Sequence, residues 1–411
     1  MSEQEILNTL CDQLGQEFME DLLPFWTKYA VDEENGGFVG RITFDNQKIY
    51  DSHKGGILNA RLLWAFSAAY NRFKLPELEE AAKRTYSYFK NNFVDKKYGG
   101  FFWMIDAKGN IVDDKKHIYT QAFGIYGLVE YYSAFKDREA LKLAYNIYAL
   151  IEKHAVDNKY GGYFEAYSRE WKLNDDVRLS AKDKNVPKSM NTHLHILEAY
   201  TNLYRYAPTD ELKIKLEMLI EYFCKYIINN ENTGLINFFD VDWTPKSSIT
   251  SYGHDIEASW LLVEAAEVLK DKDLIKRTKN FAVSIAEAVY QNGVDSDGAL
   301  INEAKENIIT DSDKDWWPQV EAIIGFLNAY EISGDSKFLD ASYNSWEFIK
   351  TYMIDKEKGE WFEKVSRDRV PYQLDKVRSW KGPYHNMRAI LEVITRVDRI
   401  KVESLVEIKS N

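Results

Sequence analysis

Six glycine turns at nearly even intervals constrain this chain more than any other feature. The segments DEENGGFVGRI from Asp32, DKKYGGFFWMI from Asp95, DNKYGGYFEAY from Asp157, NENTGLINFFD from Asn230, DSDGALINE from Asp295 and DKEKGEWFEKV from Asp355 share one order: polar residues, glycine, then aromatic or β-branched residues. With Gly37, Gly100, Gly162, Gly234, Gly298 and Gly359 as landmarks, the intervals are 63, 62, 72, 64 and 61 residues. Such a period marks a repeated supersecondary unit. Each turn reads as a small hairpin in which the glycine is free to take positive φ.

Between the turns, apolar residues recur at i, i+3, i+4 and i+7, as in amphipathic helices. The helices pair as 3–29 with 55–73, 77–93 with 118–135, 138–154 with 189–206, 210–229 with 254–269, 273–290 with 316–332, and 336–353 with 383–395. A helix pair cannot bury both apolar faces alone, so it must stack on its neighbours. The predicted fold is all-α, a single (α/α)6 barrel spanning 1–411 with short β-hairpins in the connecting loops. Helices before the glycine turns carry plain Lys, Glu and Tyr faces and form the outer ring. Those after the turns carry polar groups near their starts: Arg61; Tyr119 and Gln121; Asn191, His193 and His195; His254 and Glu257; Trp317 and Glu321; His385 and Arg388. Converging at one mouth, they would make a funnel-shaped site helped by unpaired N–H groups and positive dipole ends.

Charge and composition narrow the partners. A net charge of -12 disfavours nucleic acid. The start, MSEQEILNTLCDQL, lacks the pattern of a signal peptide, and no run approaches the length of a membrane span. Cys11 and Cys224 are too few for a disulfide framework. A cytoplasmic monomer acting on a small molecule is expected, with no membrane or nucleic-acid partner. The aromatic content, 14% with 11 Trp and 27 Tyr, serves packing first and offers stacking platforms for sugar faces second.

His254 and Glu257 stand at i and i+3, so the carboxylate is expected to hold a ring nitrogen of the imidazole, with Asp255 pointing elsewhere. A solvated surface pair is the plain alternative. His385 opens a second helix behind a Gly-Pro turn. His193 and His195 lie on opposite sides of theirs, so one of them is structural. His53, His117 and His154 read as solvated or loop residues. Three convergent histidines could hold zinc, but no pair sits at i, i+4, and neither metal nor cofactor is expected. There is no Walker loop, dinucleotide glycine pattern or Ser nucleophile elbow. Two chemistries remain open. One is proton transfer at a carbon next to a carbonyl, with imidazoles as bases and cationic groups stabilising an enediolate. The other is glycoside hydrolysis by two carboxylates from among Asp183, Glu257 and Glu321.

In combination MNTHLHILEAYTNLYR, SYGHDIEASWLL, DWWPQVEAIIGF and WKGPYHNMRAI resemble the N-acylglucosamine 2-epimerase superfamily, and within it the cellobiose 2-epimerases, over essentially the whole chain. The resemblance implies an (α/α)6 barrel without metal or nucleotide cofactor. It implies interconversion of reducing-end glucose and mannose in β-1,4-linked disaccharides, cellobiose to glucosylmannose and lactose to epilactose, through a ring-opened sugar and a cis-enediolate. By the same resemblance His254 and His385 are the acid/base pair at carbon 2 and His195 assists ring opening. Arg61 would stabilise the enediolate and Glu257 support His254. Tyr119, Asp183, Asn191, Trp317 and Glu321 would hold the sugar, with Trp380 a platform for the second ring. N-acylglucosamine epimerisation and mannose isomerisation are the sister activities.

Overall fold

The computed structural model describes residues 1–229 and 233–410, with side chains described to residue 402. The start of the fourth glycine segment, 230–232, lies outside the described residues. Twelve helices follow one another: α1 (Glu3–Glu17), α2 (Gly56–Phe73), α3 (Pro76–Asn92), α4 (Ile118–Phe135), α5 (Arg138–His154), α6 (Met190–Tyr206), α7 (Asp210–Tyr222), α8 (Tyr252–Leu269), α9 (Lys272–Gly293), α10 (Trp316–Ser333), α11 (Ser336–Phe348) and α12 (Tyr384–Ser410). The expected twelve helices are present among the described residues, and α12 runs well past the expected end at 395. Three outer helices also continue through π-wound turns, Phe18–Leu22 and Phe25–Tyr29 after α1, Phe223–Ile227 after α7 and Ile349–Met353 after α11.

The even-numbered helices form a closed inner ring, in which each packs on the next and α12 packs back on α2. Outside it α3 lies on α2, α5 on α4, α7 on α6, α9 on α8, α11 on α10 and α1 on α12. This is an (α/α)6 barrel. Inner helices are buried on nearly every side; in α4 the whole run from Ile118 to Tyr131 is buried. An inner helix leads directly to its outer neighbour, because Lys74, Lys136, Lys270 and Gly334 take left-handed φ of 55°, 57°, 59° and 69° and the following helix starts within three residues. Asp137, Asp271 and Asp335 then cap the new helix with their carboxylates.

The glycine turns are closed by single antiparallel bridges, Val31 with Phe38, Val94 with Phe101, Val156 with Tyr163, Ile228 with Leu235, Val294 with Leu300 and Ile354 with Trp361. Gly100 takes φ 78°, and a Cβ there would lie 2.8 Å from the Trp171 ring and 2.9 Å from Gln121 Oε1, so shape and conformation both exclude a side chain. In the fourth turn Thr233 takes a positive φ, at 59°. A buried ion pair locks five of the six turns: Lys54 with Asp32, Lys116 with Asp95, Lys188 with Asp157, Lys314 with Asp295 and Lys376 with Asp355, at 2.6–3.1 Å. In the fourth repeat both charges are replaced together, by Asn229 and Thr250.

Successive repeats are stitched by short ladders. The strand entering one inner helix pairs with the strand after the next glycine turn: Lys54–Gly55 with Met104–Ile105, Lys116–His117 with Ala166–Tyr167, Lys188–Ser189 with Phe238–Phe239, Ile249–Ser251 with Glu303–Lys305, and Lys314–Asp315 with Lys364–Val365. The sixth rung, a bridge between Ile42 and Val377, closes the circle between first and last repeats. These ladders fix the N-terminal ends of the inner helices around one mouth.

Candidate active site

A cavity of about 520 Å³ opens at that mouth, within the range of small-ligand pockets. Arg61, Tyr119, Asp183, Asn191, His195, His254, Glu257, Trp317, Trp380 and His385 all line it. The placement follows from register. The sixth residues of α2, α4, α6, α8 and α10 are Arg61, Phe123, His195, Glu257 and Glu321, while Tyr119, Asn191 and Trp317 are second residues of their helices. One helical position repeated around a ring therefore brings Arg61, His195 and Glu257 to the same cavity.

Three imidazoles face the cavity with different backing. His195 Nδ1 lies 2.9 Å from Glu198 Oε2, and its ring packs edge-on to Tyr119. His385 Nδ1 lies 2.8 Å from Glu321 Oε1. His254 Nδ1 lies 2.8 Å from the Ser251 hydroxyl. The Trp317 indole touches both of the latter, with ring centroids 4.7 Å from His254 and 5.7 Å from His385. His193, on the opposite side of α6, accepts Tyr163 N–H at Nε2 and donates from Nδ1 to the Ser189 carbonyl. It is structural, as is Asp255 one turn position along α8, which accepts Leu235 N–H. Gln121 and Gln319 hold Phe101 and Leu300 from the same fourth position of α4 and α10.

The expected hydrogen bond from Glu257 to His254 is absent. His254 turns back to the residue before its helix, and Glu257 reaches across the ring to Arg388 Nη2 at 2.5 Å. Glu321 does not line the cavity; it is fully buried behind His385 and accepts from His385, Arg388 Nη2 at 2.6 Å and Trp260 Nε1 at 3.1 Å. Arg388 also donates to Glu198, which in addition accepts from Tyr384. Burial pushes the Glu198 and Glu321 carboxyls up while Arg388 pulls them down. Three donors on each carboxylate is the pattern of an ionised group. His117 is buried, not solvated: its Nδ1 accepts Tyr119 N–H and its Nε2 meets the Val177 carbonyl.

Burial lowers all three site imidazoles. His195 falls to about 3, and the guanidinium groups of Arg61 and Arg388 add to the effect of burial there and at His385, which lies well below the ordinary range. For His254 burial is partly offset by Glu257, Asp183 and Glu321. The resting imidazoles are neutral at pH 7. Arg61 is fixed by Tyr119 Oη at 2.7 Å and the Trp380 carbonyl at 3.1 Å, leaving its Nε without a partner. Trp380, Trp317 and Asp183 are half-buried at the rim. Glu257, Glu321 and His385 could bring ligand atoms within 4.8 Å of one another, but Arg388 fills the space between the two carboxylates and a cation there would meet its charge.

The family model for N-acylglucosamine 2-epimerase matches residues 36–389. This chain belongs to the N-acylglucosamine 2-epimerase family. It is accordingly an epimerase. Among the relatives of this family member are the cellobiose 2-epimerases of Bacteroides fragilis, 43% identical over 94% of this chain and 98% of that one, and of Ruminococcus albus, 41% identical over 94% and 99%. The solved structure of cellobiose 2-epimerase from Bacillus thermoamylovorans B4167 superposes with a TM-score of 0.91 at 40% identity, over 95% of this chain and all of that one. Among the described residues no helix is long and apolar enough to cross a membrane. Glu198, Ser251 and Tyr384 are site-supporting residues that sequence reasoning did not single out, although Glu198 stands at i+3 from His195, the very spacing applied to His254 and Glu257.

Proposed function

We propose that this chain, as one domain, epimerises carbon 2 of the reducing-end sugar in β-1,4-linked disaccharides, with cellobiose the first substrate and lactose a second. The observation that carries the reading is the pair of imidazoles, His254 and His385, both in contact with Trp317 in one cavity. A neutral imidazole whose Nδ1–H is held by a carboxylate presents a lone pair at Nε2, so His385 is built to accept the carbon 2 proton. His254 serves the other face. Arg61 stabilises charge on the enediolate oxygens, as its fixed guanidinium requires no reorganisation. His195, oriented by Glu198, assists opening of the sugar ring. Asn191, Tyr119, Asp183 and Trp317 hold the reacting sugar, and Trp380 stacks on the second.

The hydrolytic alternative asks two carboxylates to work independently on a glycosidic bond. Glu257 and Glu321 instead share Arg388, and Glu321 sits behind an imidazole. The names of the relatives favour a disaccharide over a monosaccharide. Incubation with cellobiose, N-acetylglucosamine and mannose in parallel, followed by chromatography of the sugars, tests the reading: glucosylmannose from cellobiose is expected. Turnover of either monosaccharide without any of cellobiose would overturn it.

A further inference from the structure

Two neutral imidazoles that both carry their proton on Nδ1 cannot carry out an epimerisation, because one must present a lone pair at Nε2 while the other presents a proton there. His385 and His195 are fixed as acceptors at Nε2, since the carboxylate behind each can only accept from Nδ1. His254 differs. Its Nδ1 faces a hydroxyl, which can donate as well as accept.

That hydroxyl is placed unusually. Ser251 immediately precedes α8, where a serine ordinarily caps the first turn, as Ser189 does for α6 by accepting Thr192 N–H. Ser251 makes no such capping bond. Its oxygen is turned to the imidazole instead. Behind the pair lies a second, smaller chamber of about 100 Å³, lined by Ser251, His254, Glu165, Asn191 and Asn237, space for about three waters. It reaches the surface at the exposed Arg178, Lys184 and Glu303. Asn191 Oδ1 and Asn237 Oδ1 are buried without a protein partner, as acceptors waiting for water are. Behind His385 stand Glu321, Arg388 and Trp260, all buried.

We propose that Ser251 is a positioning residue that relays protons between this chamber and His254, letting the imidazole act as acid or base without becoming charged. This rests on the assignment of His254 and His385 as the carbon 2 pair. In the donating step the C1–C2 π electrons of the enediolate take the Nε2 proton, and the N–H electron pair stays on the ring. Nδ1 takes the Ser251 proton, and Oγ is replenished from chamber water. The reverse step runs the same bonds backwards. When the product leaves, the proton that His385 removed passes from its Nε2 to water in the open cavity, water there re-protonates His254 Nε2, and Nδ1 hands its proton back through Ser251 to the chamber, so both imidazoles return to their starting tautomers. The groups facing His254 are Glu257 on its own helix, Asp183 from the loop over the mouth, Glu321 from α10 and His195 from α6. Glu303 lies across the chamber.

The test is Ser251→Ala, with Ser251→Thr as the variant that keeps the hydroxyl. Without the relay, donation requires an imidazolium, so kcat for cellobiose should fall about 10- to 100-fold with KM little changed, and the optimum should move to lower pH. Ser251→Thr should regain most of kcat. In mixtures of light and heavy water the wild-type rate should curve with deuterium fraction, reporting more than one proton in flight, and the alanine variant should give a straight line. A Ser251→Ala enzyme with wild-type kcat and pH profile would overturn the relay while leaving the epimerase reading intact. A wild-type enzyme inert towards cellobiose would remove the reading itself, and the relay with it.

Discussion

At the scale of single residues, what each imidazole can do depends on the atom behind its Nδ1. Carboxylates stand behind His385 and His195, a hydroxyl behind His254. Replacing His254 or His385 by alanine should each lower kcat at least ~100-fold, with far-ultraviolet circular dichroism unchanged; a variant keeping a tenth of wild-type turnover would take that histidine out of the chemistry. Burial depresses both pKa values below the ordinary 6.5, so the neutral forms persist as pH falls. The acid limb of kcat/KM should therefore break below pH 6.5, not above it. The histidines themselves were legible in the sequence, because their helix-start positions repeat with the glycine period. Their partners were less so. Spacing of i, i+3 admits a contact without choosing it: His195 and Glu198 use it, whereas His254 and Glu257 do not, since Arg388 draws Glu257 away. Only a chain closed into a ring puts Arg388 there, 131 residues from Glu257 in sequence.

At the scale of elements, Arg388 joins α12 to α6, α8 and α10 through Glu198, Glu257 and Glu321, all buried. Removing one partner of a buried ion pair leaves uncompensated charge and costs about 3–5 kcal/mol. Arg388→Leu should lose at least that much in urea denaturation, and a milder loss would mean that the carboxylates take up protons on folding. The Lys–Asp pairs make the same argument in five of the six repeats. Lys188→Met should cost about 3–5 kcal/mol alone but markedly less in an Asp157→Asn background, where no charge is stranded. The sequence carries this device openly, as a lysine two residues before α2, α4, α6 and α10 and an aspartate opening every turn but the fourth. The helix pairs themselves were visible through amphipathic outer helices. The inner helices were recognised by context, since burial all round erases the apolar stripe, as in α4. The cross-repeat ladders were not visible, because strands of two or three residues carry no period.

For the whole molecule, closure is the decisive fact: the rung between Ile42 and Val377 and the seat of α1 on α12 make a ring from a linear array. A ring lets one register position become one cavity. It also buries acids away from water. Burial raises Asp255 to about 8, although it accepts Leu235 N–H, and Glu165 likewise to about 8. A carboxyl whose folded pKa is raised stabilises most below its unfolded value, and that contribution is lost as pH rises towards the folded one. Thermal stability should thus decline from about pH 5 to pH 8, and Asp255→Asn, which stays neutral, should flatten the decline; an unchanged slope would place the ionisation elsewhere.

The most direct test of the central claim is proton NMR of cellobiose incubated with chelator-treated enzyme in heavy water. If two imidazoles exchange the carbon 2 proton, glucosylmannose should grow in with deuterium at carbon 2. Release of free glucose, or an epimer that keeps its original proton at carbon 2, would contradict it.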